Sequence, residues 1–209
     1  MEEAWLDGQV ISRFQDFLSR LTPRTIGRAV QNFKILKLEI LPTTYLGPRA
    51  WYEAYFAAKG EVMIEAQESF VKQTYRNRCL IHDAQGHEVT LTVPVLKVEH
   101  KQLTQDVQIS YQQHWQHQHL MALKSAYGKS PYWDYYAEFF APFYERETKW
   151  LIDLNEGLHE VILRLLRNKP NSPVAPLKRT EQFVLTDLEQ YWGDGTSILD
   201  ELMENGPIE

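Results

Sequence analysis

Phe33-Lys34-Ile35-Leu36-Lys37-Leu38-Glu39-Ile40-Leu41, then Pro42-Thr43-Thr44-Tyr45-Leu46-Gly47-Pro48, then a segment carrying Trp51, Tyr52, Tyr55 and Phe56 up to Gly60, then Val62-Met63-Ile64: this stretch decides the fold. Ile35, Leu36, Leu38 and Ile40 make a short apolar run of strand length. The Pro/Gly/Thr segment reads as a loop, and Pro48 suits the first turn of a helix. Trp51, Tyr52, Tyr55 and Phe56 recur at helical spacing, and Gly60 ends the helix before a second strand. A strand–helix–strand unit of this size is compatible with two parallel neighbours.

Working downstream, Phe70 to Ile81 reads as a third strand, and His82-Asp83-Ala84-Gln85-Gly86-His87 as a hairpin turn. Val89, Leu91, Val93 and Val95 alternate with Thr90 and Thr92, as in a half-buried strand, and Pro94 marks its end. Asp106 to Ser110 is a short further strand. The rest reads helical: 112–127, closed by Gly128; a helix after Ser130-Pro131 that Pro142 breaks; Tyr144 to Arg167; and a short final helix through Ile198, Leu199, Leu202 and Met203. Asn168 to Lys178, with three prolines, is a linker. The expected fold class is α/β: a small mixed sheet from residues 33–110, packed against a C-terminal set of helices.

Upstream, Val10, Ile11, Phe14, Phe17, Leu18 and Leu21 form an apolar stripe with a period of three to four. This predicts an added N-terminal amphipathic helix. Docking onto its own domain or a partner protein is one use for it; lying on a membrane surface, helped by Arg24 and Arg28, is another. The organisation read from the chain is an extension over 1–32 and a domain over 33–209.

Composition narrows the function. The 209 residues are 44% hydrophobic and 24% charged, which is ordinary for a globular domain. Cys79 is the only cysteine, so no internal disulfide forms and no cysteine zinc cluster is built. No run of about 18 apolar residues suggests a membrane span, and the start Met-Glu-Glu-Ala-Trp is unlike a signal peptide; a cytoplasmic location is expected. Net charge is -6. The last 29 residues hold eight acids and no Lys or Arg, leaving 22 bases and 20 acids in residues 1–180, a balance of +2. That is too small a basic excess for a nucleic-acid partner.

If Phe70–Arg78 is a strand, alternation puts Lys72, Arg76 and Arg78 on one face with Thr74, and Gln73, Tyr75, Asn77 and Cys79 on the other. Three cations on one face suit a pyrophosphate or carboxylate, since the Arg fork pairs two oxygens. A solvated sheet surface that deters edge pairing is the alternative. His119 stands four residues after Trp115 on an apolar helix face, either as a buried, hydrogen-bonded histidine or as a general acid–base group. His114 and His117 are spaced for one metal ion, but no acid in that helix completes a ligand set, so no metal is assigned. The loop Tyr45-Leu46-Gly47-Pro48 leads into a helix N-terminus, where an anion can be received. The aromatic run Tyr132–Phe140 reads as helical core or as a sugar-stacking wall. No nucleophile-elbow, zinc-protease or dinucleotide fingerprint is present, and no motif names a cofactor.

The run Phe70-Val71-Lys72-Gln73-Thr74-Tyr75-Arg76-Asn77-Arg78 resembles the signature of the WbqC-like family. So do Tyr45-Leu46-Gly47-Pro48 with Trp51-Tyr52 before it, and Leu91-Thr92-Val93-Pro94-Val95 after it. Asp106-Val107-Gln108-Ile109, Trp115 with His119, Ala126-Tyr127, Ser130-Pro131-Tyr132, Asp153-Leu154-Asn155, Ser197-Ile198-Leu199-Asp200 and Asn205-Gly206-Pro207 keep the family order. The resemblance spans roughly 35–209. It departs at Leu41-Pro42, where many members carry Gln-Pro, and residues 1–32 look like an addition. Members are often associated with O-antigen and surface-polysaccharide gene clusters. The resemblance therefore implies surface-glycan assembly, and the leading expectation is a transferase-like enzyme acting on an anionic, nucleotide-linked sugar. Under that expectation Lys72, Arg76, Arg78, Tyr45 and Tyr75 bind the substrate, Asn77 orients it and His119 moves the proton. A non-catalytic glycan-precursor-binding or scaffolding module is the other expectation.

Overall fold

The computed structural model describes residues 38–58, 61–169, 174, 176–184 and 188–207. The amphipathic helix over 10–21, the rest of the extension 1–32 and the start of the first predicted strand lie outside the described residues.

The opening unit forms as its sequence requires. Strand β1 (Glu39–Pro42) runs into a buried loop, helix α1 (Arg49–Ala57) follows Pro48, and β2 (Val62–Glu65) pairs with β1 in parallel, Leu41 opposite Ile64. Leu41, Tyr45, Leu46, Trp51 and Ile64 are fully buried. Burying a large apolar side chain contributes about 1.5–3 kcal/mol, so this unit anchors the core.

Strand β3 (Arg78–His82) and β4 (Glu88–Thr92) form an antiparallel hairpin, Arg78 opposite Thr92 and His82 opposite Glu88. Gly86, at φ +82°, supplies the left-handed turn position. Helices α2 (Trp115–Tyr127) and α3 (Trp133–Glu145) pack on one another and α3 packs on α4 (Leu151–Leu166); α5 (Ile198–Asn205) is capped by Ser197, whose side chain accepts from the Leu199 N–H, and lies against β3. The architecture is mixed α/β, with five α-helices among the described residues. None of the described helices is long and apolar enough to cross a membrane.

Five expectations are corrected. The single mixed sheet is instead two small sheets. The linker supplies β5 (Lys178–Arg179), which pairs in parallel with β2 and completes a three-stranded sheet, while the β3–β4 hairpin stands apart. The third strand starts at Arg78 rather than Phe70. Residues 72–77 turn instead: Asn77 N donates to Thr74 O, Thr74 Oγ1 donates to Val71 O, and Gln73 sits at φ +64°. The segment 106–110 makes only isolated bridges, Val95 with Ile109 and Gln108 with Trp150. Those pairings also divide the long helix predicted from Tyr144. Ile109 N donates to Lys149 O and Leu151 N to Val107 O, so 146–150 stays extended. Pro142 does not break α3. It costs one helical bond near the helix end, and Arg146 N still donates to Pro142 O.

Candidate functional site

The residues expected to form one site divide between the interior and the surface. Arg76 is buried, and its Nε and Nη2 donate to the two carboxylate oxygens of buried Glu68 at 2.6 and 2.5 Å. Trp192 lies under its guanidinium at 5.4 Å. Asn77 is buried and donates to Val93 O at 3.1 Å. His119 Nδ1 lies 2.8 Å from the Tyr45 hydroxyl, which in turn lies 2.8 Å from the Tyr144 hydroxyl. Burial holds the His119 imidazole neutral, its pKa lowered to about 4, with the Thr92 carbonyl opposing. The same burial raises the Tyr45 hydroxyl. Lys72 is exposed on the turn. Arg76, Asn77, His119 and Tyr45 are thus buried, each hydrogen-bonded to protein groups, and the strand face that grouped Lys72, Arg76 and Arg78 does not exist.

A second interior imidazole shows the same construction. His159 Nε2 lies 3.0 Å from Thr44 Oγ1 and Nδ1 lies 2.6 Å from the Tyr52 hydroxyl, with Trp51 stacked on the ring at 4.2 Å. Its pKa is lowered to about 3, by burial first. A methyl group at Gly47 would sit 2.4 Å from Thr44 Oγ1, so glycine is what lets the loop close on this pair. Asn155 ties the loop to the turn, donating to Thr43 Oγ1 and to Arg76 O.

The outer face of the hairpin differs. Along β3 the burial alternates, so Cys79 and Ile81 point into the core while Arg78, Leu80 and His82 share the partly open face. His82 Nδ1 lies 2.6 Å from Asp200 Oδ2, on the first turn of α5. Asp200 Oδ1 accepts from the His82 backbone N–H at 3.2 Å and from the Tyr127 hydroxyl at 2.5 Å. Three donors therefore fix one carboxylate. The Asp200 hydrogen bond raises the His82 pKa, against a smaller desolvation effect, and the charges of Asp200, Glu88 and Asp194 add to the rise. Holding Nδ1–H on Asp200 leaves Nε2 without a protein partner among the described residues, in a ring that lines a cleft of about 550 Å³. Lys129, Ser130 and Glu204 also line it. Ser130 donates to the Met203 carbonyl and accepts from Tyr132 N, while Lys129 is exposed and makes no ion pair among the described residues.

A carboxylate-held imidazole with one free nitrogen on a cleft is an acid–base arrangement. Sequence reasoning missed it. His82 reads as part of a turn, and its partner is 118 residues away.

A family model matches residues 44–175, the WbqC-like protein family. The chain belongs to this family. His82 and Tyr127 fall inside the matched span and Asp200 beyond it. No curated protein and no solved structure matches the chain. Among the described residues of this WbqC-like chain, no three His, Cys, Asp or Glu side chains gather as metal ligands.

Proposed function

We propose that this WbqC-like chain is a transferase-like enzyme of surface-polysaccharide assembly, acting on an anionic, nucleotide-linked sugar in the His82 cleft. The family name supports the biosynthetic setting. The observation that carries the chemistry is the His82–Asp200 contact at 2.6 Å, in the lining of a cleft of about 550 Å³. In this reading His82 Nε2 takes the proton from a sugar hydroxyl or amine. That group's lone pair forms the bond to the incoming group, and the donor's leaving group departs with the old bonding pair. Asp200 stabilises the imidazolium that results, and Lys129 offsets substrate charge at the cleft mouth.

The test replaces His82 by Gln in the cells that make the protein. Loss of general-base catalysis costs about 10²–10⁴ in rate, so the polysaccharide modification is expected to disappear. Nucleotide-sugar binding, read as a rise in melting temperature of the purified variant, is expected to persist. Full polysaccharide output from His82→Gln would overturn the catalytic assignment. With ligand binding retained, it would mark a non-catalytic precursor-binding module instead.

A further inference from the structure

The open face of β3 carries a second feature, four residues from His82. Gln73, Thr74, Tyr75, Arg78, Cys79, Leu80 and Thr90 line a hollow of about 190 Å³. Among the described residues, the Nε of Arg78 is buried without a hydrogen-bond partner, and no carboxylate lies within ion-pair reach of its guanidinium. The other arginines with limited exposure are provided for. Arg76 is clasped by Glu68, Arg179 by Glu156 and Asp153, and Arg164, whose Nε is likewise buried and unbonded, has Glu160 at 4.0 Å. A partly desolvated cation without a counter-charge is costly to keep unless something else supplies the charge.

We infer that this hollow is a phosphate-class oxyanion site. Its lining holds a guanidinium, a phenol, hydroxyls and an amide, and no Asp or Glu. The guanidinium edge suits two oxygens of one anion. Its wall is set firmly. Tyr45 N donates to Tyr75 O, the Tyr75 ring lies 5.3 Å from Trp192, and Gly195 at φ +82° passes so close to the Tyr75 hydroxyl that any Cβ there would overlap it. Four residues of strand separate Arg78 from His82, about 13 Å. The inference rests on the proposed reading for its substrate class, a diphosphate ester whose phosphates sit at Arg78 while its sugar reaches His82. It rests on Arg78 alone for the anion.

The experiment is calorimetric titration of the whole chain with inorganic pyrophosphate, with sodium acetate at matched ionic strength, and with Arg78→Met, Lys72→Met and His82→Gln variants. Saturable pyrophosphate binding is expected, weakened at least tenfold by Arg78→Met and unchanged by Lys72→Met and His82→Gln. Circular dichroism melts check that Arg78→Met remains folded. No binding to the wild type, equal binding to Arg78→Met, or acetate binding as tight as pyrophosphate would each overturn the site. Competition by uridine diphosphate and by geranyl diphosphate then identifies which kind of diphosphate ester fits. Because binding is read without turnover, the two ideas fail separately. Arg78-dependent pyrophosphate binding with unaltered polysaccharide in His82→Gln cells sinks the catalytic reading alone. The reverse pair of results sinks the anion site alone.

Discussion

The interior imidazoles and the one on the hairpin rim are the same side chain in opposite states. His119 and His159 meet hydroxyl groups and aromatic rings, and burial holds them neutral. His82 meets a carboxylate at the surface and holds its proton more tightly than usual. Partner and depth decide the difference. Inside the molecule the side chains of His119, Tyr144, Asn155 and His159 fix one loop, 43–46, against helices α2, α3 and α4 and the 72–77 turn. On the outer face of β3, polar groups are left over, and those are the ones available for chemistry.

The sharpest way to break this division is to exchange the two arginines. Arg76→Met leaves the Glu68 carboxylate buried without its partner and is expected to destabilise the fold by about 3–5 kcal/mol. Arg78→Met removes no hydrogen bond or ion pair among the described residues and is expected to change stability by about 0.5 kcal/mol or less. Denaturant melts of both variants read the contrast directly, and comparable losses would erase the distinction between interior and face.

Acid provides the next largest effect. The unfolded chain protonates His119 and His159 near pH 6.5, whereas the native state resists until pH about 4 and about 3. Between pH 6.5 and 4 the unfolded state therefore binds more protons, and stability falls with decreasing pH, by roughly 1 kcal/mol per pH unit for each imidazole. His119→Phe is expected to flatten that slope. A slope that stays the same in the variant would mean His119 is already solvated.

The smallest effect has the opposite sign. The native pKa of His82 is raised, so the stability its contact with Asp200 contributes is complete below pH about 6.5. It is lost as pH rises through the native value. The melting-temperature gap between wild type and His82→Gln should therefore be largest near pH 6 and close in alkali. A gap that widens with pH would contradict the assigned pairing.

Much of this was legible in the chain because it depends on local order. The strand–loop–helix–strand unit, the hairpin and the final helix follow from apolar period and from proline and glycine placement. Residues 70–77 were not legible: Gln73 takes a left-handed conformation with no glycine or asparagine to signal it, and the cation pattern imitates a strand. Strand β5 was missed because two residues after a proline-rich linker give no period to read. The candidate site was hidden for a third reason. His82, Tyr127 and Asp200 come from a strand, a helix end and the last helix, and only the folded chain brings them together. Burial of His119 was one of the two alternatives the helix pattern offered; the inward turn of Arg76 to Glu68 was not foreseen.

Cys79 gives the molecule a built-in reporter. It is the only thiol in the sequence, fully enclosed on the inner side of the strand whose outer side carries Arg78 and His82, and burial raises its pKa far from the reactive range. A chromogenic thiol reagent can therefore react only when that strand lifts from the core. The rate of colour development measures the opening frequency of the one layer on which both regions are built. A ligand that holds the strand closed would slow the colour.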